Sequence, residues 1–289
     1  MKHLLTLLIF LLFSTHLYAD TTVIMTDRET QSLLKESRIY FDQENLDFEA
    51  IKEKPFHSFH QEQINRAFDA MTVVWVYLEL KNSEAFSVER VLEIDNPLIE
   101  TITLYESYQT RLAGMLKIQK DQHHLRPSFL LQWQAGEVKK VWIRLKNENT
   151  ALQFGIHLKT LDKMYHDDYT NQYTITIFLG IILAFLTYAL FLFFYTRDTS
   201  YLFYAFYLST LIFQQMTYVG FLPLHAPEWF TKIDSQIVVP KVGIMIIAAV
   251  WFAQSFLKTK AFPILHKVYN GITLVILIQM PLVGTSWFY

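Results

Sequence analysis

The chain has 289 residues, 52% of them hydrophobic and 18% charged, with a formal net charge of -2 and no cysteine. Length points to about two domains at ~150 residues each, and no basic stripe marks a nucleic-acid partner. Without thiols there are no disulfides, so an exported domain must rest on a hydrophobic core, which suits a bacterial periplasm.

Charge and oil are unevenly distributed. Residues 1–19 read as a secretory signal peptide: Lys2 and His3 form a positive start, Leu4 to Phe13 are apolar except for Thr6, and small Ala19 stands at the cleavage point. The alternative, an uncleaved anchor, also exports the domain C-terminal to it. Residues 20–172 carry most of the charge and residues 173–289 very little, which places an exported domain over 20–165 and a membrane part over 173–289.

From Thr72 the exported part breaks into short segments of period two. Val74, Val76, Leu78 and Leu80 share one face, and Val88, Arg90, Leu92 and Ile94 share another phase. Val141, Ile143 and Leu145 alternate with Lys140, Trp142, Arg144 and Lys146; Leu152, Phe154, Ile156 and Leu158 repeat the pattern. Such alternation predicts half-buried strands, with turns at Asn96-Pro97 and Ala135-Gly136. Adding Thr101–Glu106, Met115–Gln119 and Ser128–Trp133 gives about seven strands, enough for an antiparallel jelly-roll-like sandwich, with a short helix near Gln61–Phe68.

Chemistry-bearing motifs are sparse here. His123-His124 and His57-x-x-His60 lack carboxylates at ligand spacing, and neighbouring strand residues point to opposite faces, so no metal or other cofactor is expected. Gly-x-Ser-x-Gly, His-Glu-x-x-His and paired carboxylates are missing. Trp142 and Arg144 share an outward face where a ring and a guanidinium can stack on and bond a sugar or other small polar ligand; the plainer reading packs Trp142 under a loop or against another domain.

Four apolar runs come next, at about 173–195, 201–222, 237–257 and 268–287, each near the ~20 residues a bilayer span requires. With residues 20–172 outside, Arg197, Lys258, Lys260 and Lys267 fall in inner loops, while the outer loop has Lys232 against Glu228 and Asp234, as the positive-inside rule requires. Arg197-Asp198 then forms a tight inner hairpin, Arg197 reaching headgroups and Asp198 or Ser200 capping the second helix. Gln214 and Gln215 sit near mid-bilayer, where at least one is expected to hydrogen-bond between helices. Lys241, one turn inside the third span, is expected to snorkel outward; the alternative turns it into the bundle onto an acceptor.

These residues resemble the bacterial seven-transmembrane receptors with diverse intracellular signalling modules. Gly180, Tyr188, Arg197-Asp198, Ser200-Tyr201-Leu202, Tyr204 and Gly220 fit the membrane part, although Ala189 stands where many relatives have Asn. "VVWVYLELKN", "VLEIDNPLIETITLYE" and "KKVWIRLKNEN" resemble the family's second type of extracellular domain. The resemblance implies a jelly-roll sensor for carbohydrate-like ligands, an inner-membrane location, a homodimer (though no heptad pattern is present), and seven spans leading to a histidine kinase or diguanylate cyclase. The chain stops at "GTSWFY" with no such module, so a truncated chain is expected and no catalysis is assigned to it.

The expected architecture is therefore an all-β sandwich followed by a membrane bundle, and the expected function is a receptor that relays a periplasmic signal through its helices. The rival is a membrane-anchored docking subunit with a protein-binding sandwich. An intramembrane enzyme or transporter fits less well: Lys241 is the lone ionisable residue in the spans, and no internal repeat is visible.

Overall fold

The computed structural model describes residues 22–26, 28–66, 73–106, 109–117 and 124–283. The expected signal peptide at residues 1–19 and His123 lie outside these residues, as do 67–72, 118–120 and the last six positions. The described β part opens with β1 (Val23–Ile24), β2 (Thr30–Ser32), β3 (Arg38–Asp42), β4 (His57–Ser58), β5 (Ile64–Arg66) and β6 (Val73–Lys81). It continues with β7 (Val88–Ile94), β8 (Thr101–Glu106), β9 (Gln109–Ala113), β10 (Ser128–Trp133), β11 (Val138–Lys146), β12 (Leu152–Phe154) and β13 (Ile156–Lys159). A one-turn helix, α1 (Phe48–Ile51), interrupts the series.

Two sheets face each other. One runs β4-β3-β6-β11-β8-β9, with β1 parallel to β6; the other runs β10-β7-β13-β2; β12 pairs with β5 in a two-stranded ribbon. The alternating residues read from the sequence meet between the sheets: Val74, Val76, Leu78 and Leu80 of β6, Ile143 and Leu145 of β11, and Leu92, Phe129, Trp133, Ile156 and Leu158 opposite form one buried core. Removing this much aliphatic surface from water is the main driving force, at roughly 25 cal/mol per Å².

Three expectations need correction. Met115-Leu116 is a turn, and the strand is β9, earlier in the chain. At Gln61–Phe68 the described residues include a strand, β5, and the short α-helix of the sandwich is α1 instead. The last period-two run is two strands, because Gly155 breaks it. The Gly155 N–H donates to Asp95 Oδ1 at 2.6 Å, and a Cβ there would lie 2.7 Å from the other carboxylate oxygen. That close approach turns β12 toward β5 and leaves β13 between β7 and β2.

The helices are α2 (Leu161–Thr196), α3 (Thr199–Tyr218), α4 (Phe221–His225), α5 (Glu228–Gln236), α6 (Val238–Phe256) and α7 (Pro263–Val283). By length and composition, α2, α6 and α7 are long and apolar enough to cross a membrane. The 20-residue α3 is not among them, diluted by Ser200, Ser209, Thr210, Gln214, Gln215 and Thr217, yet it packs against both α2 and α6. Between α2 and α3 the chain turns on Arg197, which takes a left-handed φ of 58° and whose N–H donates to Phe193 O, and of the two candidate caps it is the Asp198 carboxylate that accepts, from Ser200 N at 2.8 Å. That cap holds the Asp198 carboxyl below the ordinary carboxylate range.

The first membrane helix begins well before the apolar run that starts at Tyr173. Thr160 caps it directly after β13, so the sandwich ends at Lys159 and α2 leaves it without a linker. Its first two turns, "LDKMYHDD", are polar because they lie on the sandwich.

Candidate functional site

The outer face of the larger sheet carries the sandwich's candidate binding surface. Antiparallel register sets Trp142 of β11 directly between Tyr77 of β6 and Tyr105 of β8. Trp75 lies beside them on β6, and α1 lowers Phe48 onto the group. Phe48 stacks on Tyr105 with centroids 4.1 Å apart and meets Trp142 edge-on at 5.6 Å, while Tyr77 and Trp142 are 4.9 Å apart. Aromatic pairs in this range contribute beyond their area burial, about 0.5–1.5 kcal/mol each. Val73 and Trp75 are fully buried beneath this layer, so β6 is covered on both faces.

Asp42 positions the covering loop. Its carboxylate, itself buried, accepts from Glu44 N, Leu46 N and the Trp75 indole at 3.0, 2.8 and 3.1 Å. Asp47 then caps α1 by accepting from Ala50 N, which fixes Phe48.

Trp142 is half-buried and stands as a ridge between two grooves. The larger, about 800 Å³, is lined by Phe48, Lys52, Tyr105, Thr110 and Lys140; the smaller, about 460 Å³, by Arg38, Lys54, Phe56 and Tyr77. Aromatic walls with charged rims can stack a flat apolar sugar face and bond its hydroxyls. Arg144 does not reach either groove. Its guanidinium donates to Asn45 Oδ1 at 2.5 Å and sits 6.0 Å from the Trp75 ring, holding the loop that carries α1. The sequence pattern paired Trp142 with Arg144; the fold pairs Trp142 with Lys52, Lys140 and Tyr105, two of which are distant in sequence. The readable signal for the covered face was the unbroken apolar run of "TVVWVY".

A second cluster joins the sandwich to the membrane helices. Lys159, at the end of β13, donates to Glu93 of β7 at 2.9 Å and to Asp167 of α2 at 2.9 Å, and Arg126 reaches Glu93 at 3.0 Å. One residue on, Asp168 accepts from Leu125 N at 3.0 Å and lies 3.3 Å from the His124 ring. Lys159 and Glu93 are almost wholly buried, which makes the pair sensitive to any shift of α2 against β7. Asp95 lies beside this joint. Burial pushes its carboxyl up, but the His157 ring, the Gly155 N–H and Arg126 outweigh burial and hold it below the ordinary range.

Inside the bundle, Lys241 is not at the surface. It is 6% exposed and its ammonium bonds Asp234 of α5 and, at 2.7 Å, Thr217 of α3, whose hydroxyl donates to the other Asp234 oxygen at 2.8 Å. The snorkelling expectation is therefore corrected: a carboxylate within reach makes the interior the better solvent. Neither Gln214 nor Gln215 makes a side-chain hydrogen bond between helices among the described residues, contrary to expectation, and the Gln214 Oε1 atom is buried without a partner. Among the described residues no group of three or more His, Asp or Glu is placed to hold a metal.

Comparison with known proteins agrees with this two-part geometry. Residues 35–160 match the family described as 7TMR-DISM extracellular 2, and residues 171–289 match the family described as 7TM diverse intracellular signalling. No curated protein matches the chain. Two solved structures of β-glucosidase from Kluyveromyces marxianus overlap with it loosely. The selenomethionine form is 11% identical over 52% of this chain and 19% of the enzyme, with a TM-score of 0.29. The complex with glucose is 11% identical over 48% and 17%, with a TM-score of 0.28. The chain thus spans less than a fifth of either enzyme.

Proposed function

Because the chain belongs to the seven-transmembrane receptors with diverse intracellular signalling, with an extracellular domain of their second type, we propose that its sandwich senses a carbohydrate-like ligand and passes the change to the helices. In this reading the sandwich is a jelly-roll sensor in the periplasm, exported by a cleaved signal peptide, and the bundle sits in the bacterial inner membrane with α3 as its second span. In this reading the output belongs to an intracellular signalling module, and the sandwich and helices serve sensing and relay.

One observation carries the proposal: α2 runs without a break from the sandwich into its membrane-length apolar stretch, its first turns bonded to Lys159 of β13 through Asp167, and so to Glu93 of β7, and to Leu125 N before β10 through Asp168. A ligand acts here by binding two arrangements of that joint unequally. The ridge of Trp142 between its grooves supports the choice of ligand class.

The test is titration of the full chain in detergent with a panel of neutral and acidic oligosaccharides, following thermal stability and tryptophan fluorescence. A saturable rise in stability that Trp142→Ala abolishes is the expected result. No response to any saccharide, with stabilisation only by a co-purifying protein, would put the docking-subunit reading in its place.

A further inference from the structure

Where the sandwich meets the outer ends of the helices, a cavity of about 840 Å³ opens apart from the aromatic grooves and borders the joint, with which it shares Arg126. Its size falls within the roughly 300–1,000 Å³ usual for pockets that hold small molecules. The roof and rim are polar and come from the sandwich and the start of α2: Asp95, Asn96, Arg126 and Asn171. The lower wall is aliphatic and comes from the membrane helices: Val242 and Ile246 of α6, Ile276 and Met280 of α7. Ile246 lies about two turns past the start of α6, so the apolar part reaches about 12 Å toward the bilayer centre at ~1.5 Å per residue.

The sandwich end mixes these polar groups with Pro97, Leu98, Leu125 and Ala151, and the helix wall also carries Gln279, so polarity falls toward the membrane side in the same direction as in a lipid leaflet. Most rim groups already have partners: Asn96 donates to Gln153 O at 2.7 Å, Arg126 bonds Glu93, and Asp95 holds the Gly155 N–H. Gln214 differs. It lines the same cavity one turn before the end of α3, and its Oε1 atom is buried with no donor. An unpartnered buried acceptor costs about 1–3 kcal/mol; rotation of the Gln214 amide about its broad terminal torsion would turn that oxygen to the cavity, where a ligand donor would offset the cost.

We propose that this cavity binds an amphiphile: one apolar chain along Val242, Ile246 and Ile276, and a head carrying a hydroxyl, amide or ammonium donor that reaches Gln214. The chemistry is shared by a lipid of the outer leaflet and by a free single-chain amphiphile. It is a second site, separate from Trp142, and it stands or falls independently of the saccharide reading.

The experiment uses the full chain in nanodiscs with a monoacylglycerol bearing a photoactivatable diazirine in its acyl chain, and adducts are mapped by peptide mass spectrometry. Adducts should concentrate on the outer halves of α6 and α7. Val242→Phe, which fills the lower wall, should remove them, and Gln214→Leu should weaken half-saturation about tenfold, the equivalent of one lost hydrogen bond. Competition by unlabelled monoacylglycerol at constant nanodisc lipid marks a free ligand; competition only when the nanodisc lipid is exchanged for one with an ethanolamine head marks a resident lipid. Adducts spread evenly over all lipid-facing helices, or labelling unchanged by Gln214→Leu in folded protein, would overturn the proposal. Should Val242→Phe fail to fold, the Gln214→Leu comparison decides alone.

Discussion

An ammonium group inside a helical bundle is costly unless it is paired, and Lys241 is paired twice, with Asp234 and Thr217. Removing one member strands the other, at a cost of about 3–5 kcal/mol, whereas replacing both charges with apolar residues is often neutral. Lys241→Met should therefore lower the thermal midpoint of detergent-purified protein sharply, and Lys241→Met combined with Asp234→Leu should recover most of the loss. Asp95 makes a different prediction, about acid. Its folded-state carboxyl is depressed, so the stability it adds is present above the ordinary aspartate value near ~3.9 and is lost as pH falls through the lower folded value. Glu100 acts in the opposite sense: burial, outweighing the N–H groups of Asn149 and Glu148, raises its carboxyl, so its contribution is full at low pH and is lost as pH rises through the raised value. Denaturant titrations of the full chain between about pH 3 and 6 should show a shallower acid loss in Asp95→Asn, and better stability at the upper end in Glu100→Gln.

Among the elements, the turn after α3 is the most exacting. Gly220 has φ +81°, and a Cβ there would lie 2.6 Å from the Leu125 carbonyl and 2.7 Å from Pro97 Cβ, both in the sandwich. Gly220→Ala should cost at least the ~1–2 kcal/mol of a left-handed alanine and should loosen the contact, seen as faster amide exchange at residues 124–126. Asn171→Pro should break α2 between sandwich and bilayer at a cost of about 3 kcal/mol; ligand binding should then survive while its effect on the membrane helices is lost. The strands that face one core on one side and water on the other were legible from periodicity, and β8 and β10 start and end where the sequence pattern placed them. The cover on a strand's second face was not. β6 is buried on both sides because α1, from earlier in the chain, folds over it; the apolar run around Trp75 signals a covered face but does not say which segment covers it. The start of α2 escaped a search for apolar runs because its first turns are polar, though Thr160 before Leu161-Asp162 is a readable cap. In the candidate site, Trp142 was legible as an outward aromatic, but its groove partners are brought in only by the fold.

For the whole molecule, orientation is open to direct measurement because the chain has no cysteine to give a background. Lys232 in α5 and Arg197 in the hairpin are both exposed, and they lie at opposite ends of the bundle. In intact spheroplasts, Lys232→Cys should react with a membrane-impermeant maleimide, while Arg197→Cys should react only after permeabilisation. The reverse pattern would invert the receptor. Helix α2 then sets the scale of what such a molecule can transmit. Its 36 residues in one unbroken helix make a rod about 54 Å long at ~1.5 Å per residue. Pivoted at the sandwich, that rod is a lever, and each degree of tilt sweeps its far tip sideways by ~1 Å. A rearrangement at Lys159 and Asp168 too small to disturb the β core would thus arrive at the Arg197 turn amplified by the length of the arm.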